Sequence, residues 1–310
     1  MRNERSYLRN VIALSSIRGI GAAFMKKNRP IVIKYREDSS MLANFGGKVN
    51  KQSLQAEWPA ADELIKQCEA ASIQIISIAD DDYPQCLLAL ADPPPLLFYR
   101  GNIDLLQNTI TLTGTSNTTG MGLQIARRVG DFFYKKMAIC NGLSDGIDKA
   151  IMEVPSLQSV AVGVIGGGLH LQRSLSPVTA QLAQAIEDQG GLLLSEFPPD
   201  KIQDRFSVIK SRRIQAALGK GLVLIQSPLD SGIKYTLRPF SQLKKPLAFI
   251  QFASHPEFLN HASFALNRLL MQKGKEGLRE WSKMDKIAPG KILPITSQSD
   301  YELMLTALEQ

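Results

Sequence analysis

The chain has 310 residues, a formal net charge of +7 and a mean hydropathy of −0.06, values typical of a soluble globular protein with one large and one smaller domain. No apolar run is long enough to cross a membrane and the first residues do not form a signal peptide, so we expect a cytoplasmic protein without a membrane partner. Three widely spaced cysteines indicate reduced thiols, and the three histidines show no metal-ligand spacing. The positive charge permits a polyanionic partner without requiring one.

Residues 1–70 are predicted to form a separate helical N-terminal domain. Apolar residues recur with helical spacing from Tyr7 to Ile17, and a second helix is predicted from Ala22. Gly19 and Gly21 lie in the turn between these helices, which resembles a helix-hairpin-helix element whose backbone N–H groups can meet a DNA phosphate. An ordinary turn between helices is the favoured alternative, because the motif is short.

A bridging segment over residues 72–108 follows this domain. Residues 73–78 alternate as in a β-strand. Three aspartates, at positions 80–82, precede Tyr83 and Pro84. Aspartates before Tyr-Pro indicate a turn and a helix cap rather than a metal site, so no metal is predicted.

The segment Thr109–Asp148 predicts the unit around which the larger domain is built. A short β-type run, Thr109–Thr113, is followed by a glycine-rich loop, an amphipathic helix over Leu123–Lys136 and a second strand over Ala138–Cys140. The loop therefore lies at the carboxyl end of a strand and the amino end of a helix. Free backbone N–H groups and the helix dipole favour a phosphate at such a place.

The spacing of the glycines in this loop does not match a known nucleotide motif. Gly114, Gly120 and Gly122 are spaced G-x5-G-x-G, which is neither the dinucleotide fingerprint G-x-G-x-x-G nor a P-loop. Two interpretations remain open from the pattern itself. The loop either binds a phosphate or is a tight strand-to-helix turn without a ligand.

Predicted strands and helices continue to alternate to about residue 275. This order predicts an α/β fold, an extended Rossmann-like doubly wound and mostly parallel sheet with helices on both faces. The core domain is assigned to residues 71–275, and residues 276–310 to a C-terminal extension with an edge strand at Ile292–Ile295 and a helix at Asp300–Leu308. The other predicted strands are residues 160–165, 192–194, 222–225 and 247–252, and the other predicted helices are residues 178–188, 209–218 and 235–243.

Short segments between residues 83 and 252 resemble, in type and order, those of the DprA/Smf family of DNA-processing proteins, with a weaker match at Ile17–Gly21. The matching segments are Tyr83-Pro84, Pro93-Pro94 with residues 96–98 and Gly101, Gly114-Thr115, Gly142-Leu143 with Gly146–Asp148, Gly166–Leu169, Ser195–Pro199, Phe206 with Arg213-Ile214, and Ser231-Gly232 with Thr236.

The resemblance implies an extended Rossmann core that binds single-stranded DNA and forms a homodimer, here without a recognisable C-terminal winged helix. It also implies a role in DNA uptake by transformation or in recombination, where the family loads a RecA-type recombinase. No catalytic residue and no cofactor is implied.

Several positions depart from the family pattern, and they fall in the polar pocket. Ser116 and Asp145 stand where the family has arginines, Met152 replaces a histidine and Gln226 replaces a glutamate. The segment 211–214, Ser-Arg-Arg-Ile, keeps only the second arginine of the family's Arg-Asn-Arg-Ile. Two cationic phosphate contacts are thereby lost and one carboxylate is gained.

Five cations cluster at the ligand edge of the predicted sheet, namely Lys201, Arg205, Lys210, Arg212 and Arg213. Cations there can hold phosphates without reading base sequence. Arg213 is expected to point inward, where it either anchors Asp148 or Glu196 or contacts DNA. Lys210 and Arg212 are expected to meet phosphate from the solvent side. Phe206 is the one aromatic residue near the cluster, so little base-stacking surface is predicted.

These arguments together predict one nucleic-acid or phosphate-binding site. Its predicted residues are Gly114, Thr115, Ser116, Asn117, Thr119, Gly120, Gly122, Gly142, Gly167, Lys201, Lys210, Arg212, Arg213, Ser231 and Gly232.

The leading function is therefore non-enzymatic binding of single-stranded DNA. A Rossmann-type sensor of a nucleotide-derived ligand is the first alternative, and a regulatory partner of a neighbouring-gene protein, of antitoxin or defence type, is the second. An enzyme is least expected, because no Ser-His-Asp order or metal set emerges. Asp145, Asp148 and Glu196 leave hydrolysis of a nucleotide's glycosidic bond as a remote alternative.

Overall fold

The computed structural model describes residues 2–38, 49–251 and 260–309. Within these ranges nine strands form one sheet, in the order β1-β2-β6-β5-β4-β3-β7-β8-β9. The strands are β1 (Gln74–Ser77), β2 (Leu96–Gly101), β3 (Thr109–Thr113), β4 (Ala138–Asn141), β5 (Ala161–Val164), β6 (Leu192–Ser195), β7 (Leu222–Leu224), β8 (Leu247–Ile250) and β9 (Ile292–Ile295).

Most of the sheet is parallel. β2 pairs antiparallel with both β1 and β6, and every other neighbouring pair is parallel. All residues of β3, β4, β5, β6, β7 and β8 are buried, as expected for strands covered by helices on both faces. The predicted fold class is confirmed.

The described helices connect and cover these strands. They are α1 (Arg2–Ser16), α2 (Ala22–Lys27), α3 (Arg29–Tyr35), α4 (Lys51–Ala56), α5 (Trp58–Ala70), α6 (Gly120–Phe133), α7 (Ile147–Met152), α8 (Pro155–Gln158), α9 (Leu171–Ser174), α10 (Pro177–Asp188), α11 (Arg205–Leu218), α12 (Lys234–Phe240), α13 (Ala265–Ser282) and α14 (Asp300–Leu308). Short 3-10 turns lie at Gln85–Ala89, Ile103–Asn108 and Ala262–Phe264.

Two helices begin earlier than their hydrophobic periodicity predicts. Helix α6 begins at Gly120 rather than Leu123, because the Thr119 side chain accepts a hydrogen bond from the Gly122 N–H and caps the first turn. Helix α11 begins at Arg205 rather than Ile209, because Asp204 and Ser207 form a reciprocal capping box.

The N-terminal helices share a hydrophobic cluster with one face of the sheet. Val11 and Leu14 of α1 belong to the same buried cluster as Leu97, Val162 and Leu194. The turn between α1 and α2 contains Gly19 at φ +91°. A domain boundary near residue 70 stays a prediction, since buried side chains from both sides of it belong to one cluster.

The predicted boundary at residue 275 lies within helix α13. Gly274 adopts φ +52° and interrupts the helical backbone there. Beyond α13, strand β9 extends the sheet next to β8, and α14 follows, both with the predicted bounds. The end of the predicted strand at Phe252 lies outside the described residues.

The bridging segment contains an element that the sequence pattern did not predict. Strand β2 follows the three prolines at 93–95 and lies between β1 and β6. The aspartates before it form a turn, in which the Ser77 N–H donates to Asp80 Oδ2 at 2.7 Å. Among the described residues, no three His, Cys, Asp or Glu side chains group as metal ligands, and no helix has the length and apolarity to span a membrane.

Candidate functional site

Strand β3 lies at the point where the sheet changes its winding direction. Its neighbours are β4 on one side and β7 on the other, so the chain leaves β3 in one direction and later returns on the opposite side. The carboxyl ends at such a switch point form the usual ligand crevice of doubly wound sheets. Three loops meet there, and we name them the glycine loop (114–122), the β4 loop (142–146) and the β7 loop (225–233).

The glycine loop is fastened to the β7 loop by one buried residue, Gln226. The Thr115 N–H donates to the Gln226 carbonyl oxygen at 2.8 Å. Gln226 Oε1 accepts from Thr118 Oγ1 at 2.6 Å and from the Thr119 N–H at 3.2 Å. A Cβ atom at Gly122 would lie 1.8 Å from Gln226 Oε1, whereas one at the exposed Gly120 would meet no protein atom within 4 Å. A side chain at position 122 would therefore displace the Gln226 amide that fastens the two loops.

The β4 loop packs against the other side of the glycine loop. The Ile147 N–H donates to the Thr115 carbonyl at 3.2 Å. Gly146 adopts φ +80°, and a Cβ atom there would lie 2.5 Å from the carbonyl oxygens of Thr115 and Ser116. The crevice keeps Ser116, Asn117 and Gly120 exposed at its rim, beside the amino end of α6.

A carboxylate and a guanidinium lie inside the crevice. Asp148 is 1% exposed, and its oxygens accept from Thr113 Oγ1 at 2.8 Å and from the Gly142 N–H at 3.3 Å. Burial raises the pKa of Asp148, and the nearby Arg212 guanidinium acts in the opposite direction. Arg212 Nη2 donates to Ser144 Oγ at 3.3 Å and lies beside Gly232. Arg212 therefore points into the crevice between the β4 and β7 loops, where the sequence predicted a solvent-facing side chain.

The remaining cations belong to the basic segment, defined as residues 201–213. Arg213 forms a bidentate ion pair with Glu196, with N–O distances of 2.5 and 2.8 Å. The side chains of Arg213 and Glu196 are only 10% and 2% exposed. Arg213 thus anchors Glu196 rather than Asp148. Lys210 Nζ also lies 3.1 Å from Glu196, so Lys210 shares this carboxylate instead of facing solvent alone.

The beginning of α11 presents the exposed part of the basic segment. Phe206 is 82% exposed and Ile202 is 68% exposed, although both are large apolar residues. Arg205 is exposed and has no carboxylate partner among the described residues. Lys201 Nζ pairs with Asp204 at 2.5 Å, and hydrogen bonds from Lys201 and from the Ser207 N–H lower the pKa of Asp204 to about 2.

The structure divides the predicted site residues by accessibility. Ser116, Asn117, Gly120 and Gly232 are exposed at the crevice, Lys210 is exposed on α11, and Lys201, Arg212 and Ser231 are partly accessible. Gly167 is buried, and its carbonyl accepts from Ser195 Oγ at 2.5 Å. Thr115 and Arg213 are also buried and bonded to protein groups. A phosphate contact at any of these residues stays a prediction.

Arg205 and Phe206 were not among the predicted site residues. Both precede the predicted start of α11 and were therefore expected to lie in a loop. The signal that places them on the first turn is the pair Asp204 and Ser207, whose spacing is that of a helix cap.

Comparison with known proteins identifies the family of this chain. Residues 74–282, about two thirds of the chain, match the model of the DNA recombination-mediator protein A family. Protein Smf of Synechocystis is 25% identical over 90% of this chain and 76% of its own length. The DNA processing protein DprA of Bacillus subtilis is 28% identical over 59% of this chain, which spans only 62% of that relative.

Solved structures show the same fold. DNA processing protein A from Streptococcus pneumoniae aligns with a TM-score of 0.70 at 22% identity, covering 96% of this chain and 97% of that one. The protein from Helicobacter pylori, described for its single-stranded DNA binding mode, aligns with a TM-score of 0.60 at 22% identity over 76% of this chain and 96% of its own. The resemblance predicted from short segments is confirmed, and the chain belongs to the DNA recombination-mediator protein A family, together with the DprA and Smf proteins.

Proposed function

We propose that this chain is a non-enzymatic DNA-processing protein that binds single-stranded DNA across the carboxyl edge of its sheet. Family membership supports this function, as does the single-stranded DNA binding of the Helicobacter pylori protein of the same fold. The observation that carries the proposal is the 82% exposed ring of Phe206, which lies on the first turn of α11 with Arg205 before it and Lys210 one turn after it.

An exposed aromatic ring beside cations has the chemistry that a single strand requires. Bases stack on rings whatever their identity, and lysine or arginine side chains hold the phosphates between them. Phe206 supplies the ring, and Arg205 supplies a cation without an internal partner among the described residues. Such a surface favours unpaired over duplex DNA, because stacked bases inside a duplex cannot reach the ring.

Arg212 offers a cation at the crevice where two family arginines are absent. Ser116 and Asp145 occupy those two positions, and both are exposed. The Arg212 side chain lies between the β4 and β7 loops, near Ser144 and Gly232. We propose that a phosphate next to the glycine loop is held mainly by Arg212, with the exposed N–H groups at the start of α6 as further donors.

The test is a salt titration of binding. Fluorescence anisotropy with a labelled oligothymidine and with a duplex of equal length is measured between 50 and 200 mM salt, the interval over which phosphate contacts are strongly screened. We expect tighter binding of the single strand, little dependence on base composition, and affinity that falls linearly with salt on logarithmic axes. Failure to bind either probe at the lowest salt contradicts the proposal.

We further propose that the chain acts as a homodimer and delivers DNA to a RecA-type recombinase. Membership in a family of recombination mediators supports this proposal. Sedimentation velocity tests the dimer, and recombinase filament formation on protein-coated single strands tests the delivery. A monomer that leaves filament formation unchanged contradicts both parts.

A sensor of a nucleotide-derived ligand is the second candidate. The observation that favours it is the exposed carboxylate Asp145, which stands at the rim of the crevice and repels a polyanion more than it repels a ligand with a single phosphate. Thermal shift with a panel of mononucleotides and cyclic nucleotides distinguishes the candidates. Stabilisation by a nucleotide, together with absent oligonucleotide binding, replaces the leading proposal with this one.

A further inference from the structure

A second concave surface lies beside the basic segment, on the side of α11 that faces α12. This cleft has a volume of about 390 Å³ and is bounded by α11, α12 and residues 89–92. Its size is at the lower end of the range for small-molecule sites and suffices for one base with its sugar. None of the residues that line it belongs to the glycine, β4 or β7 loops.

The walls of the cleft are apolar and its openings are polar. Leu90, Ile209, Tyr235, Pro239 and Leu243 contribute apolar surface. Three accessible polar side chains also line the cleft, and one of them is the carboxylate of Asp92, which is 51% exposed. Lys210, which is 54% exposed, lies on the α11 side, and the exposed amide of Gln242 lies beyond the end of α12.

The floor of the cleft is held rigidly. Arg213 lines it and is fixed by Glu196 and by Asp92, whose carbonyl oxygen and carboxylate each lie 3.1 Å from Arg213 Nε. A preformed floor lowers the ordering cost of binding a flat ligand. The floor of the cleft is therefore already ordered before a ligand binds.

The cleft continues the proposed strand-binding surface. Phe206 and Lys210 are separated by one helical turn, so they lie on the same face of α11. Lys210 also lines the cleft that contains Tyr235, so this face of α11 leads from the exposed ring of Phe206 into the cleft. A phosphate held by Lys210 would place one neighbouring base near Phe206 and the next at the cleft.

We propose that this cleft is a nucleobase subsite, in which the Tyr235 ring stacks on the base and the Gln242 amide hydrogen-bonds its edge. The side-chain amide of glutamine carries both donors and an acceptor, and the structure gives that of Gln242 no partner among the described residues. The inference rests on the proposed function for the source of the base, a nucleotide of a single strand. A free nucleotide presents the same chemistry, and the experiment separates the two sources.

The test compares tyrosine variants in binding to labelled oligothymidine, with thymidine monophosphate as a second probe. Tyr235→Leu is expected to weaken oligothymidine binding about tenfold, while Tyr235→Phe retains it. The slope of log affinity against log salt is expected to stay unchanged, because stacking displaces no counterions. Tyr134→Leu is the matched control, since Tyr134 is also half-buried beside a lysine but lies at the far end of α6.

If Tyr235→Leu does not fold, Gln242→Ala tests the proposal instead. Because Gln242 is exposed, its replacement should weaken oligothymidine binding without lowering the melting temperature. Wild-type binding of oligothymidine with no loss in Tyr235→Leu or Gln242→Ala overturns the subsite and leaves the proposed function intact. If wild type binds no oligonucleotide but binds the mononucleotide through Tyr235, the subsite stands with a free nucleotide as its ligand. Binding of neither probe overturns it.

Discussion

The glycine loop and the basic segment lie at the same edge of the sheet but are built in opposite ways. In the glycine loop, backbone and hydroxyl donors at Thr115, Thr118 and Thr119 are satisfied within the protein by Gln226. In the basic segment, Arg205 and Phe206 extend into solvent with no polar or aromatic partner among the described residues. The loop therefore gives the crevice its shape, and the side chains on α11 give it accessible charge and an aromatic surface.

The same contrast appears within the basic segment. Arg213 and Glu196 form a buried anchor, whereas Arg205, about two helical turns earlier on α11, is exposed. Cations on the same helix are therefore expected to have different effects when removed. The predictions below separate effects on folding from effects on DNA binding.

The largest effect is expected from Arg213→Ala. It leaves the carboxylate of Glu196, which is 2% exposed, with Lys210 as its one remaining cationic partner among the described residues. We expect a loss of about 3 kcal/mol in the free energy of unfolding, at the lower end of what breaking a buried ion pair costs, because Lys210 remains. Urea denaturation measures it. Arg205→Ala is the control and should unfold like wild type, and equal stability of the two variants would show that the anchor is unimportant.

The next effect tests the glycine loop. Gly122→Val places a side chain where Gln226 Oε1 lies, so the hydrogen bonds from Thr118 and Thr119 to Gln226 must break. Such overpacking costs about 1–3 kcal/mol, measured by thermal melting. Gly120→Ala is the matched control, because its added Cβ atom meets nothing and alanine is the better helix former. A Gly122→Val protein as stable as wild type would mean that Gln226 can move away without cost.

A smaller effect, on binding alone, is expected from Phe206→Ala. Loss of one stacked base costs about 1–3 kcal/mol of binding free energy, whereas removal of an 82% exposed ring should leave the melting temperature unchanged. Anisotropy with oligothymidine measures the affinity. Undiminished affinity in Phe206→Ala would assign the strand to another surface.

Arg205→Ala should change the salt dependence rather than the stability. If Arg205 contacts one phosphate, its removal lowers the slope of log affinity against log salt by about 0.7. The measurement is a salt titration of wild type and variant with the same oligothymidine. Lys135→Ala is the control and should leave the slope unchanged, because it removes one exposed cation just beyond the end of α6 that is opposite the glycine loop.

The smallest effect is confined to acid pH and concerns the cap of α11. The pKa of Asp204 is lowered to about 2 in the folded protein, below its unfolded value, by Lys201 and the Ser207 N–H. Its contribution to stability is therefore present above the unfolded pKa and is lost as the pH falls from about 4 towards 2. Asp204→Asn keeps a side-chain acceptor for the cap, so its stability should fall less steeply over this interval in acid titrations followed by circular dichroism. An unchanged acid profile would show that another carboxylate dominates.

Sequence patterns predicted best the elements that are short apolar runs with polar or turn residues on either side. Strand β3, strand β9 and helix α14 have the predicted bounds, because each is delimited by its own apolar pattern and neighbouring turn residues. The start of α11 was wrong by about one turn, since its first residues are polar or exposed and only the capping pair marks them. Strand β2 was not predicted because it follows three prolines and its residues neither alternate nor stay apolar throughout.

The orientation of side chains in the site was harder to predict. Periodicity correctly indicated that Arg213 points inward, but it did not distinguish Glu196 from Asp148 as its partner. Arg212 and Lys210 were expected to behave alike, but in the structure Arg212 donates to Ser144 Oγ inside the crevice, whereas Lys210 lies 3.1 Å from Glu196. Which carboxylate a cation meets depends on how α11 lies across β3, β4 and β5, and that placement is a property of the tertiary packing.

Strand β9 has a consequence for self-association. The carbonyl oxygens of Lys291 and Ile295 accept hydrogen bonds from the N–H groups of Leu247 and Gln251, on the β8 side. Backbone groups alternate in direction along a strand, so those of Pro294, one residue before Ile295, face away from β8. Proline has no N–H, and on an outermost strand it leaves a gap in the row of donors that an incoming strand would need. The described sheet thus ends in a strand that resists templated β-addition, and two copies of the chain are not expected to join their sheets there.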